Sequence, residues 1–320
     1  MTLALAAFLA LQAAAGPPAA QPQPPPKVQV PAVFGIQVDS VYVDAFVSQR
    51  RDPVIGLTAE DFELKDNGVV QHLDLVSAEA LPLLAVLVFD SSNSLAGQRL
   101  AALQASGKAF LESLRPRDEV SLFTFSGETE WLAKPTADKA SVAKALDELR
   151  PGGATAVLDA LYAALVLPKT QGRTLVVLFT DGEDNMSWLD WPQMRVVAER
   201  SNALIHVVGL KRSEDGRDTL PAMDVSGRML PMTGTPTMEF LHTWGMRQIA
   251  ESTGGRYWEA ESPARLKSAF AAITETMAQR YILSYEPQGV KRPGWHAIEL
   301  RLPGRTGDIH ARRGYWVAER

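Results

Sequence analysis

The stretch VLVFDSSNSL, residues 86–95, closes an aliphatic run on one carboxylate, Asp90, and then sets Ser92 and Ser94 two and four positions further on. Core strands seldom finish in so many hydroxyls. Two other stretches carry matching chemistry. PGGATAVLDAL places Thr155 in a glycine-rich loop ahead of an apolar segment, and VVLFTDGED places Asp181 directly behind a second aliphatic run. All five side chains offer oxygen, with no imidazole or sulfur among them. Hard divalent cations prefer oxygen ligands, and a small octahedral site completed by water suits Mg²⁺, with Mn²⁺ and Ca²⁺ as alternatives. Two carboxylates and three neutral hydroxyls leave such a cation short of negative charge and with one position open. An acidic group of a partner can fill that position, which is a binding mechanism and needs no bond making.

For these residues to meet, they must leave one edge of one sheet. LLAVLVFD and TLVVLFTDG are continuous apolar runs, the pattern of strands buried on both faces of a parallel sheet. Segments with helical spacing alternate with them. Leu100, Leu103, Phe110 and Leu114 mark one helix, and Thr136 is placed to cap another that carries Val142, Leu146 and Leu149. Ser262-Pro263 opens a last helix. The alternation predicts a doubly wound, mostly parallel, Rossmann-like α/β sheet over 81–280. The C-terminal ends of such strands share one edge, where ligands bind. A long segment, 211–240, leaves that same edge and reads as a lid, as part of a binding surface rich in Met and Pro, or as a plain surface loop.

The flanks read differently. In 28–80, Val41, Val43, Ala45 and Val47 alternate as a strand, Thr58 and Asp61 form a short capped turn, and Asn67-Gly68 signals a tight hairpin. In 281–320, YILSY, WHAIELRL and IHARRGYWVA read as short strands. A few short strands are marginal alone. The two flanks are therefore expected to pack as one small β module, with the α/β domain inserted between its halves.

Residues 1–15 resemble a secretory signal, with an apolar core at 3–11 and a small-residue site at Ala13-Ala14-Ala15. The run is shorter than the ~20 apolar residues of a spanning helix. A proline-rich spacer follows at 16–27. A secreted or periplasmic protein with no transmembrane segment in its mature chain is expected. The 320 residues contain no cysteine, which excludes disulfides, thiolate zinc sites, a thiol nucleophile and lipid attachment through a cysteine. The net charge of −5 gives no sign of a nucleic-acid partner.

The α/β region resembles a von Willebrand factor A-type domain. Its metal-ion-dependent adhesion site is Asp-x-Ser-x-Ser followed by a distant Thr and a distant Asp, matched here by Asp90, Ser92, Ser94, Thr155 and Asp181. The resemblance implies that the serines and Thr155 contact the metal through hydroxyls and that the aspartates act directly or through water. Asp184 and Glu183 lie beside the motif without being required by it. GLTAEDFELKDNG, STGGRYWEA and ARRGY in the flanks are similar to bacterial exported proteins called VWFA-related. The expected function is recruitment of a protein partner through its Asp or Glu carboxylate, with no enzymatic activity.

Three other readings compete. The serines could simply cap a helix. A metal-independent A-type scaffold uses the same fold. A Mg²⁺-dependent phosphatase of the haloacid-dehalogenase kind would use Asp90 as nucleophile, but it needs a second Asp two residues on, where Ser92 stands. No Gly-x-Ser-x-Gly elbow is present, and no pair among His72, His206, His242, His296 and His310 has metal-binding spacing.

Overall fold

The computed structural model describes residues 40–317, apart from 51, 79, 169–171, 182–183, 211–237 and 291–292. The expected signal and spacer, Glu183 and nearly all of the long segment 211–240 lie outside the described residues. The described residues open with β1 (Val41–Gln49), which buries Val41, Val43, Ala45 and Val47, and a two-residue return, β2 (Asp52–Pro53). A 3-10 turn at Ala59–Asp61 follows, in which the Asp61 carboxylate accepts from the Thr58 N–H at 2.8 Å. β3 (Glu63–Asp66) and β4 (Val69–Gln71) make a hairpin. Its two turn residues, Asn67 and Gly68, sit at φ 45° and 83°, the left-handed pair whose twist matches the flanking strands. β5 (Asp74–Val76) ends this part.

The α/β layer runs β6 (Leu83–Asp90), α1 (Gln98–Ser113), β7 (Glu119–Phe125), β8 (Thr129–Thr136), α2 (Lys139–Asp147), α3 (Val157–Val166), β9 (Arg173–Thr180), α4 (Trp191–Arg200), β10 (Ala203–Leu210), α5 (Met238–Ser252), β11 (Tyr257–Ala260) and α6 (Leu266–Ala278). The strands form one sheet in the order β11-β10-β9-β6-β7-β8. All neighbours pair in parallel except β8, which runs antiparallel on the edge. β6 lies between β7 and β9, and all eight of its residues are buried. Phe89 packs edge-on to both Phe179 and Phe270, which joins the sheet to α6.

Residues 129–136 form an edge strand with no fully buried residue, so its sequence carries no continuous apolar run. Trp131 stacks on Phe123 and donates to the Ser121 hydroxyl at 2.7 Å, which holds β8 in place. Thr136 therefore ends a strand. The cap of α2 is Asp138, whose carboxylate accepts from the Ala140 and Ser141 N–H groups.

The chain closes with β12 (Tyr281–Tyr285), β13 (Gly294–Arg301), β14 (Asp308–His310) and β15 (Gly314–Val317). IHARRGYWVA is thus two strands in two sheets rather than one. Between them the chain crosses over, and Arg312 turns toward the α/β layer to donate to Asn202 at 2.9 Å. One sheet runs β14-β1-β12-β5, and the other β15-β13-β3-β4. Both join the two flanks antiparallel: Val41 pairs with Tyr285, Ala45 with Tyr281, and Glu63 with Arg301.

A buried polar network sits among these strands. The Asp66 carboxylate is fully buried and accepts from the Tyr285 and Tyr315 hydroxyls at 3.0 and 2.6 Å, and the His296 Nδ1 lies 2.9 Å from its other oxygen. Burial, together with the Asp66 charge, pushes both phenols well above their usual range, so they remain donors. A second tie lies where the α/β strands begin. Arg173, first in β9, makes two hydrogen bonds to the Asp44 carboxylate, at 3.0 and 2.6 Å. The buried Arg280 donates to the carbonyls of Asp44, Gly254 and His310. Burial lowers its pKa only to about 10, so it stays charged at neutral pH. Among the described residues, no helix is long and apolar enough to cross a membrane.

Removing the Asp66 carboxylate takes away the acceptor that two phenols share and a buried partner of the His296 imidazole. Asp66→Ala is expected to lower the unfolding free energy by about 3–5 kcal/mol, and Tyr315→Phe by about 1.5–3 kcal/mol. Urea denaturation followed by tryptophan fluorescence measures both. Equal stability of Asp66→Ala and the unaltered protein would remove the network from any structural role.

Candidate functional site

β6 and β9 run in parallel register with Phe89 beside Phe179, so Asp90 comes out beside Thr180 and one residue short of Asp181. The register supplies the first contact: the Thr180 hydroxyl donates to Asp90 Oδ2 at 2.6 Å. The Ser92 N–H donates to Asp90 Oδ1 at 2.8 Å. The chain then turns through a 3-10 segment, Asn93–Leu95. Ser92 makes no capping hydrogen bond there. Its hydroxyl instead lies 3.0 Å from the hydroxyl of Ser94, and Ser94 donates to Asp181 Oδ1 at 2.6 Å. The serines thus face the two carboxylates rather than a helix end.

The third loop is strapped on by its backbone. Gly152 N–H donates to the Ser91 carbonyl at 2.8 Å, and Asn93 N–H to the Gly153 carbonyl at 3.3 Å. Gly153 has φ 75°, and a Cβ there would lie 3.1–3.2 Å from Ser126 and Gly127, so the strap requires glycine. Thr155 is buried just beyond. Its N–H donates to the Asn185 side chain at 2.9 Å, and its carbonyl accepts from the Asn185 and Met186 N–H groups. Asp90, Ser92, Ser94 and Asp181 are therefore joined by side-chain or backbone hydrogen bonds. Thr155 is brought to the same edge through its backbone, and its hydroxyl takes no part in the contacts among the other four.

Asp184 has a structural task. Its carboxylate accepts from the Leu158 N–H at 2.9 Å and from the Ser187 hydroxyl and N–H. Ala156 precedes α3 and has no capping side chain, so Asp184 supplies the missing acceptor from another loop. Asp159 in turn accepts from the Trp188 and Leu189 N–H groups, at 2.9 and 3.1 Å. Trp188 is left 95 % exposed on a loop that is firmly tied. Trp191, by contrast, packs on His242.

One site residue has no signal in the sequence. Arg99, in the first turn of α1, places Nη1 2.6 Å from Asp181 Oδ2. Nothing in the Asp-x-Ser-x-Ser spacing points to it, and only the fold brings it within reach.

Electrostatics make this cluster costly. Burial pushes the Asp90 carboxyl up to about 6, and the nearby Asp181 charge adds to the shift. Hydrogen bonds from Ser92 and Thr180 hold it down in part. The donor chemistry fits a hard cation: two carboxylates and neutral hydroxyls, all oxygen. Oxygen ligands at 2.0–2.1 Å around an octahedral ion stand about 2.9 Å apart. The spacings of 3.0 Å between Ser92 and Ser94 and of 2.6 Å between Ser94 and Asp181 are close to such an edge. A cation would also relieve the repulsion that raises Asp90.

The sign of the pH effect follows from this shift. The folded chain holds the Asp90 proton up to about pH 6, whereas the unfolded chain releases it near 3.8. Ionised Asp90 therefore costs the metal-free fold about 3 kcal/mol above pH 6, and this penalty vanishes as pH falls below 4. In chelator, Asp90→Asn is expected to be more stable than the unaltered protein at pH 7.5, with the gap closing between pH 7 and pH 4. Thermal unfolding across that range measures it, and a gap independent of pH contradicts the assignment.

Residues 85–183 match the von Willebrand factor type A domain family model. A UPF0353 protein of Mycolicibacterium paratuberculosis is 25% identical over 254 residues, covering 71% of this chain and 70% of that protein. UPF0353 protein ML1808 of Mycobacterium leprae is 25% identical over 244 residues, with the same shares of each chain. Among solved structures, a von Willebrand factor type A protein from Catenulispora acidiphila aligns with a TM-score of 0.49 and 13% identity, over 88% of this chain and 76% of that one. The vWF domain of the type V pili tip protein Mfa5 from Porphyromonas gingivalis aligns with a TM-score of 0.48 and 16% identity, over 62% and 95%.

Proposed function

We propose that this chain is a metal-dependent protein-recruitment module. Asp90, Ser92, Ser94, Thr155 and Asp181 would hold one divalent cation, Mg²⁺ or else Mn²⁺ or Ca²⁺, as a complete metal-ion-dependent adhesion site. The cation would supply an electrophilic position for an Asp or Glu carboxylate of a protein partner. The observation that carries this reading is the Ser94 contact. Its hydroxyl lies against Ser92 and donates to Asp181, 87 positions further along the chain, and so assembles an all-oxygen donor set around two buried carboxylates. The exposed Met186 and Trp188, two residues apart on the tied loop beside Thr155, support a contact surface at the same edge. Ser92 standing two residues beyond Asp90 supports binding over phosphoryl transfer, since a hydroxyl cannot serve as the acid/base partner. The apolar segment at 3–11 supports export to the periplasm or the medium.

One observation favours a second reading, an A-type scaffold that works without metal. Both oxygens of Asp181 already have partners, Ser94 and Arg99. Calorimetric titration of Mg²⁺ and Mn²⁺ into the full chain separates the two. Binding of a single ion is expected, with the affinity lowered at least about 100-fold in Asp90→Ala. A flat titration of the unaltered protein leaves only the scaffold.

A further inference from the structure

We propose that Arg99 is a built-in counter-ion that holds Asp181 in the metal-free chain and must leave it when the cation enters, the guanidinium lying 2.6 Å from Asp181 Oδ2. This rests on the metal-binding reading above and adds to it a residue that sets when the site fills.

Arg99 stands where a cation is poorly placed by local rules. It is the second residue of α1, at the helix end whose free N–H groups favour negative charge, and Gly97 ahead of it offers no capping side chain. Its placement is accounted for by what it reaches. The Asp181 side chain is fully buried, whereas the Arg99 side chain keeps 28 % of its surface exposed. The guanidinium thus comes in from the solvent side and covers a carboxylate that has no solvent contact of its own. Ser94 takes Oδ1 of that carboxylate, and Arg99 takes Oδ2.

The placement has two consequences. Without metal, Asp90 and Asp181 are neighbouring acids in a buried site, and the Arg99 charge compensates one of them. The loops then keep their arrangement while the site waits. With metal, a doubly charged ion and a guanidinium compete for the same carboxylate. Two cations cannot share Oδ2 closely in a poorly screened site. The long arginine side chain, already in contact with solvent, is the group that can swing aside without disturbing the backbone. Arg99 then acts as a threshold: the ion must displace it, so occupancy begins at a higher free metal concentration than the oxygen set alone would require.

The test is calorimetric titration of Mn²⁺ and of Mg²⁺ into the full chain as the unaltered protein, R99Q and R99K. R99Q is expected to bind either ion at least tenfold more tightly than the unaltered protein, and R99K to fall between. Thermal unfolding in chelator checks that R99Q is folded. Should it not fold, the Arg99 Nε–H resonance of the unaltered protein gives the answer during the Mg²⁺ titration. A shift that tracks occupancy supports displacement, and a resonance unmoved at full occupancy overturns it. R99Q binding with equal or lower affinity, while the unaltered protein binds normally, overturns the role of Arg99 and leaves the metal site standing. Binding by R99Q alone supports it most directly. No binding by any of the three removes the metal site, and the proposal with it.

Discussion

Two carboxylates buried side by side at the end of a hydrophobic sheet set the main constraint on this molecule. Burial pushes Asp90 up to about 6, and the charge on Asp181 acts in the same direction. Such a pair persists only when its oxygens are partnered. The surrounding residues read as answers to that constraint. Thr180 and Ser92 donate to Asp90, Ser94 donates to Asp181, and Arg99 sets a positive charge against Asp181. The hydroxyls that make the site attractive to a cation are the same groups that make it tolerable without one.

The loops at this edge are tied to one another by their backbone. Gly152 to Ser91, Asn93 to Gly153 and Asn185 to Thr155 are main-chain hydrogen bonds between loops. Asp184 caps α3 from outside, and Asp159 ties the loop that follows. At the other end of the strands, Arg173 and Arg280 lock the β module to the sheet through Asp44. The module therefore braces the edge where strands begin and leaves the edge where they end to the site loops.

The strands of the parallel sheet were legible because their burial on both faces forces continuous apolar runs, as in LLAVLVFD. Asn67-Gly68 was legible because few other residues accept two left-handed positions in succession. β8 was not, because an edge strand buries too little to impose an apolar pattern. The crossing that splits 308–317 into two strands was not legible either. It depends on Arg312 finding Asn202, a partner more than a hundred residues away. Within the site, the carboxylates and hydroxyls were legible by type and by their place after buried runs. Arg99 was hidden for the opposite reason: an arginine early in a helix looks like any solvated charge, and only its contact with Asp181, 82 positions away, gives it a meaning.

That difference bears on how the proposed site would work. If Arg99 were absent, filling the site would mean bringing a cation to two carboxylates held by hydroxyl and backbone donors alone. With Arg99 present, the loops are already drawn in, and entry of a cation becomes an exchange of one positive group for another. The backbone bonds between the loops do not involve the donor oxygens, so the exchange falls on side chains alone. Preorganisation of this kind lowers the ordering cost of binding. The presence of the arginine also means that a weak or slow metal response would not by itself argue for a degenerate site, because the competitor is part of the same chain.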